Sequence, residues 1–261
     1  VSQRKENVFR QYKTELICAG VAAGVTALFG SPIAGILFAF EVISKKVTKA
    51  FLISNLIAVS IAFGLIFLLD EKPLFTVTIT TWQLKAIPYF ILLGILAGIN
   101  SVYLTRCVLF FKSQFSKINI HYYKILIGSG VLSISLFLFP QLYGEGYHAI
   151  KTVFDSTNEI PLTLTLAFTF FGLLILKPIV TSITLASGGD GGVFAPSLFI
   201  GAFLGLLIAS ILNTFFNAGL IPVNFMIIGM AAVLSASIHA PFTAIFLVCG
   251  LTNNYTLFIP L

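Results

Sequence analysis

Ser187–Pro196 reads SGGDGGVFAP, four glycines and a carboxylate ahead of an apolar run. A helix that starts here has first-turn N–H groups with no partner inside the helix and roughly half a positive charge at its end, so the turn can hold an anion without a basic side chain. Glycines let the backbone approach such an ion closely. The donors this predicts are the amides of Gly192, Val193 and Phe194, and Pro196 fits an early helical turn, where a missing N–H costs little. Ser187, Gly188, Asp190 and Gly191 then form the helix break beside the ion's path. Partial dipoles hold an ion more weakly than a buried lysine or arginine would, as conduction requires. The same glycines would equally serve a loop that needs only close packing. Asp190 would serve as an N-cap for the amides that follow; left unpaired beside an anion, its charge would weaken binding.

The composition says which solvent positions these residues. Of 261 residues, 58% are hydrophobic and 9% charged, and the mean hydropathy is +1.04. A soluble domain carries about a quarter charged residues, so the chain reads as an integral membrane protein. The net charge of +6 does not indicate nucleic acid, because the basic residues sit in short clusters between apolar runs, as cytoplasmic loops do. Cys18, Cys107 and Cys249 stand singly in apolar stretches, without metal or disulfide spacing, and read as buried small hydrophobes.

A membrane-crossing helix needs about 20 apolar residues. Segments 50–69, 85–112, 122–140, 161–186, 191–212 and 222–238 qualify; 16–29, 32–43 and 240–251 are shorter and divided by Gly, Ser or Pro. Broken helices at membrane depth are tolerated only in protein or against an aqueous cavity, which points to a transport pathway. Arg4, Lys5, Arg10 and Lys13, then Lys45, Lys46 and Lys49, then Arg106, Lys112, Lys117 and Lys124 mark the expected cytoplasmic side. The loops around DEKPLF and GEGYHAIKTVFDSTNE fit the other side, and Trp82 and Tyr89 suit an interfacial belt.

With Pro32 laid on Pro241, AGVAAGVTALFGSPIAGIL and IGMAAVLSASIHAPFTAIF share small residues at matching places, and both break before the proline. Counting crossings gives the copies opposite orientations, the pattern of an inverted repeat with a midplane site. Tight packing of any small-residue helices would produce part of this likeness.

Three blocks, AAGVTALFGSPIAGILFAFE, GGVFAPSLFIGAFLG and APFTAIFLVCGLTNNYTLFIP, resemble the chloride channel and chloride/proton antiporter (CLC) family in order and spacing, from about Tyr12 to the C-terminus. GGVFAP is similar to its GxFxP segment, and FPQLYGEGYHAI to its extracellular turn. The resemblance implies an all-α polytopic fold with inverted repeats, in which 12–43 ends the first half and 50–261 forms the second half of one transmembrane domain, with no soluble regulatory domain. It implies that Val193 and Phe194 supply amides to a central anion and that Tyr255 supplies a phenol O–H. Chloride or another small anion is then the substrate, with no cofactor or metal, and the protein is a homodimer in a bacterial inner membrane. The contact between subunits would come from segments like 14–43 and part of 191–238.

The family's GSGIP and GREGP segments do not occur; with the opening Val1, the absence of a visible signal peptide and the abrupt end at Leu261, the expectation is a fragment lacking its N-terminal part. Glu41 matches a family acidic position and would otherwise be a helix-end carboxylate near Lys45. Val42 falls where proton-coupled exchangers carry a glutamate on the inner proton route. Valine relays no proton, which favours passive conduction; an exchanger using another proton route is the alternative. A remote alternative is an intramembrane aspartyl protease, but Ser187 stands at its first glycine position and the other aspartates, Asp70 and Asp155, fall in loops. His121, His148 and His239 form no metal pattern, and His239 reads as a packed neutral imidazole.

Overall fold

The computed structural model describes residues 12–70, 73–75, 77, 79, 81–156 and 164–261, with side chains at all of these except 155, 156, 164 and 165. Arg4, Lys5 and Arg10, Glu71 and Lys72 of the DEKPLF loop, and the Asp155 side chain lie outside them. The described residues are all helix, turn and loop, with no strand among them. Two compact units divide the chain: Val1–Thr78 with Ile238–Phe258, and Ile79–Ser237 with Ile259–Leu261.

The first unit begins with α1 (Lys13–Phe29), which stops at Gly30 in the left-handed conformation (φ 62°), its N–H bonded to the Thr26 carbonyl. Ser31 is extended, as the residue before a proline must be, and Pro32 opens α2 (Pro32–Phe38). The chain then widens into a π-helical turn, Ala39–Ser44, that ends on left-handed Lys45. Thr48 caps α3 (Lys49–Leu68) by accepting from the Phe51 N–H at 3.0 Å. Cys18, Ala22, Ala39, Phe51 and Val59 form the core where these helices meet. A Cβ at Gly35 would collide with the Ala22 carbonyl and the Thr26 hydroxyl, so only glycine lets α1 and α2 lie this close. The helix opened by the second proline, α10 (Pro241–Leu251), packs on α2: Ser31 donates its hydroxyl to the Phe246 carbonyl at 2.9 Å, and Gly250 lies against the Ser31 side chain.

The second unit holds α4 (Ile87–Ser116, entered through a 3-10 turn at Leu84–Ala86), α5 (His121–Leu138), a 3-10 turn at Pro140–Leu142, α6 (Tyr147–Ser156), α7 (Leu164–Ser187), α8 (Phe194–Phe216) and α9 (Pro222–Ile238, whose last residue belongs to the first unit). Every residue of α8 from Pro196 to Ala209 is buried, as suits a helix apolar all round. Gly201 and Gly205 let α9 approach until backbone meets backbone: a Cβ at Gly201 would strike Gly229, and one at Gly205 would strike the Phe225 carbonyl. Pro178 lies inside α7, and Tyr103 of α4 donates its phenol to the Ile175 carbonyl just before it, at 3.1 Å.

Among the described residues, five helices are long and apolar enough to cross a membrane: Lys49–Leu68, Leu84–Ser116, His121–Leu138, Leu166–Ser187 and Phe194–Phe216. Pro32–Ser44, Pro222–Ile238 and Pro241–Leu251 are shorter apolar helices, so the breaks expected at the prolines are present.

Candidate functional site

The glycine-rich turn is built from the end of α7. Ser187 is buried and donates its hydroxyl to the Thr184 carbonyl at 3.0 Å. Gly188 has φ 101°, a conformation that glycine alone adopts freely, and Gly189 returns its N–H to the Thr184 carbonyl at 2.9 Å. A Cβ at Gly128 of α5 would run into Ser187, and the His121 ring lies against Gly188, so α5 braces this corner. Gly188 to Gly192 are exposed, Val193 and Phe194 half-buried, and from Pro196 to Ala209 the helix is enclosed.

The structure corrects the expected role of Asp190. The N-cap of α8 is Val193 (φ −86°, ψ −4°), with no side-chain cap bond; Asp190 is exposed and lies in the loop four residues before Phe194, not at the cap position. Pro196 occupies the third helical position, where its missing N–H removes no intrahelical bond. The Val193 carbonyl accepts both the amide and the hydroxyl of Ser197, at 3.0 and 2.6 Å, which fixes the first turn. The helix end is thus anchored by a buried body and opens onto exposed glycine backbone. Chemically, such a turn can accept an anion, because it offers backbone dipoles with room for close approach and has no basic side chain in Ser187–Pro196.

In the first unit, Tyr255 follows α10 in a turn closed by left-handed Asn253 and by the Phe258 N–H, which donates to the Tyr255 carbonyl at 3.1 Å. The side chain is half exposed. Burial of its other half, with the Cys249 thiol nearby, holds the phenol above its usual range, so it remains an O–H donor.

Glu41 does not pair with Lys45. The i, i+4 spacing brings two side chains together only on an α-helix, and here the backbone is π-helical and Lys45 left-handed. Instead the Glu41 carboxylate accepts the Phe242 N–H at 3.3 Å, the Thr243 N–H at 2.8 Å and the Thr243 hydroxyl at 2.6 Å, so it closes the N-terminus of α10. Val42, beside it, is 38% exposed. His239 is also corrected: it is exposed and left-handed (φ 55°), because Ala240 before Pro241 must be extended and the chain turns one residue earlier. Cys18 and Cys249 are buried as expected, and Cys107 is half-buried.

Two features escaped the sequence reading. Thr243, the partner of Glu41, carries no local signal. Lys177 is buried inside α7; its signal was available, since a lysine within an apolar span is uncommon and calls for a partner.

Residues 2–261 match the family described as voltage gated chloride channel. Among curated relatives, the H(+)/Cl(-) exchange transporter ClcA of Vibrio vulnificus is 29% identical over 94% of this chain and 53% of its own length. The protein of the same name from Vibrio cholerae is 30% identical over the same shares. The chain therefore spans about half the length of the curated relatives it matches. Among solved structures, a CLC-type fluoride/proton antiporter superposes with a TM-score of 0.77 at 23% identity, covering 98% of this chain and 63% of that one, which shows a shared fold. The apolar helices and this match describe an integral membrane protein, and the chain belongs to the voltage gated chloride channel (CLC) family.

Proposed function

We propose that this chain carries chloride or a similar small anion across a membrane, holding it at the first turn of α8 with the amides of Gly192, Val193 and Phe194. The observation that carries the reading is the exposed glycine backbone at the end of an otherwise buried helix, a form of anion site that needs no basic side chain. Tyr255 of the first unit is assigned separately as an O–H donor to an anion. Family membership supports both assignments. We also place the protein in a bacterial inner membrane, as a homodimer that uses no cofactor.

Val42 favours passive conduction, since a side chain without a titratable group passes no proton. The second reading is proton-coupled antiport by another route, and the names of the Vibrio relatives favour it. The anion site itself is tested with protein in liposomes, by comparing chloride and nitrate flux for the wild type, Val193→Pro and Tyr255→Phe. Val193→Pro removes one donor at a φ near proline's own. The site predicts an altered flux ratio or half-saturating chloride concentration; values unchanged in both variants would contradict it.

A further inference from the structure

Lys177 is the only charged residue in α7 and is 2% exposed. Its ammonium donates to the Leu142 carbonyl at 3.2 Å and the Gly144 carbonyl at 2.9 Å, and it lies 4.8 Å from the centre of the Phe199 ring in α8. Both carbonyls belong to the segment from Pro140 to Gly146 that leads into α6, and this segment is shaped around the pair. Gly144 and Gly146 have φ 60° and 93°, and a Cβ on Gly146 would collide with the Phe199 ring. A charge inside an apolar helix is costly and is retained where it has work to do.

Two carbonyl dipoles and a ring face solvate an ammonium without cancelling its charge, as a carboxylate partner would. The Glu145 carboxylate, in the same turn, is near enough to act on this charge, but it makes no direct bond to the ammonium and is exposed, where solvent screens it. A net positive charge is therefore held in a poorly screened setting. Phe199 follows Phe194 by five residues, about 7.5 Å along the helix axis, which puts the ammonium on the order of 10–15 Å from the first-turn amides of α8. At an effective dielectric near 20, a unit charge at that distance shifts anion binding by about tenfold. The half-charge of the helix end, exposed to water, provides less.

We infer that Lys177 is a positioning residue for anion affinity: its buried charge raises the hold of the α8 first turn on the anion, and the Pro140–Gly146 segment keeps that charge in place. This rests on the transport reading above. The test is the chloride dependence of flux in liposomes for the wild type, Lys177→Gln, Lys177→Met, Lys177→Arg and Gly146→Ala. Glutamine can still donate to the carbonyls without a charge, and methionine keeps the apolar stem, so one can report if the other fails to fold. The expected result is a half-saturating chloride concentration raised about tenfold in Lys177→Gln and Lys177→Met, with maximal flux within about twofold of wild type. Lys177→Arg should restore the wild-type value. Gly146→Ala, which strains the segment holding the charge but keeps the charge itself, should lower thermal stability and raise half-saturation by much less than the neutral variants. Neutral variants with wild-type half-saturation, or a Gly146→Ala shift as large as theirs, would overturn the inference. A wild-type protein that moves no anion would instead sink the transport reading.

Discussion

Glu41 and Thr243, 202 positions apart in the chain, are joined by two hydrogen bonds, with the Thr243 amide and hydroxyl both donating to one carboxylate oxygen at 2.8 and 2.6 Å. A carboxylate at a helix N-terminus satisfies donors that the helix cannot and faces the positive end of its dipole. The acidic position that matches the family thus has a structural task, tying the π-helical turn after α2 to the start of α10. Glu41→Ala should cost about 1.5–3 kcal/mol, the worth of hydrogen bonds to a charged group, and Glu41→Gln less, because the amide oxygen can still accept. Thermal unfolding in detergent measures both; unchanged midpoints would mean that the cap contributes nothing.

The α8–α9 contact makes a sharper stability prediction. A side chain at Gly205 would enter the Phe225 carbonyl and one at Gly229 would enter Gly201, so Gly205→Val and Gly229→Val should lose monodisperse protein, with destabilisation of at least about 1–3 kcal/mol. Gly94→Ala, in α4 with nothing near its Cβ, should stay within about 1 kcal/mol and on the stabilising side. Size-exclusion profiles and melting curves separate the two classes.

Much of this architecture could be read from the residues alone. Apolar runs bounded by Pro32, Pro222 and Pro241 became helices within a few residues of the expected limits, because hydropathy and proline act locally. The glycine-rich turn was likewise legible: Gly188 and Gly189 are where the backbone folds back on α7. What could not be read depends on partners far away in sequence. Nothing near Glu41 announces Thr243, and the π-helical turn that swings Glu41 away from Lys45 leaves no mark in a pattern of apolar residues. Asp190 suited a cap by residue type, yet the helix begins four residues later, at Phe194.

Tyr255 predicts a pH signature. Burial holds its phenol above the usual range, so the neutral O–H form, favoured below the folded pKa, persists through neutral and mildly alkaline pH. As an anion donor it should contribute a neutral hydrogen bond of about 0.5–1.5 kcal/mol, a twofold to twelvefold rise in half-saturating chloride in Tyr255→Phe. That rise should be the same at pH 6 and pH 9. A penalty that vanishes by pH 9 would show that the phenol has already ionised and that its assigned state is incorrect.

The central claim, that this chain moves anions and that Val42 leaves the movement uncoupled from protons, is tested most directly by one recording. Protein in chloride-loaded liposomes is given an outward chloride gradient and a potassium ionophore, while chloride and external pH are followed together. Passive anion conduction predicts chloride release well above that of empty liposomes, with no proton movement beyond leak. Release no faster than from empty liposomes would contradict anion transport, and proton movement in fixed ratio to chloride would contradict passive conduction and establish the antiport reading.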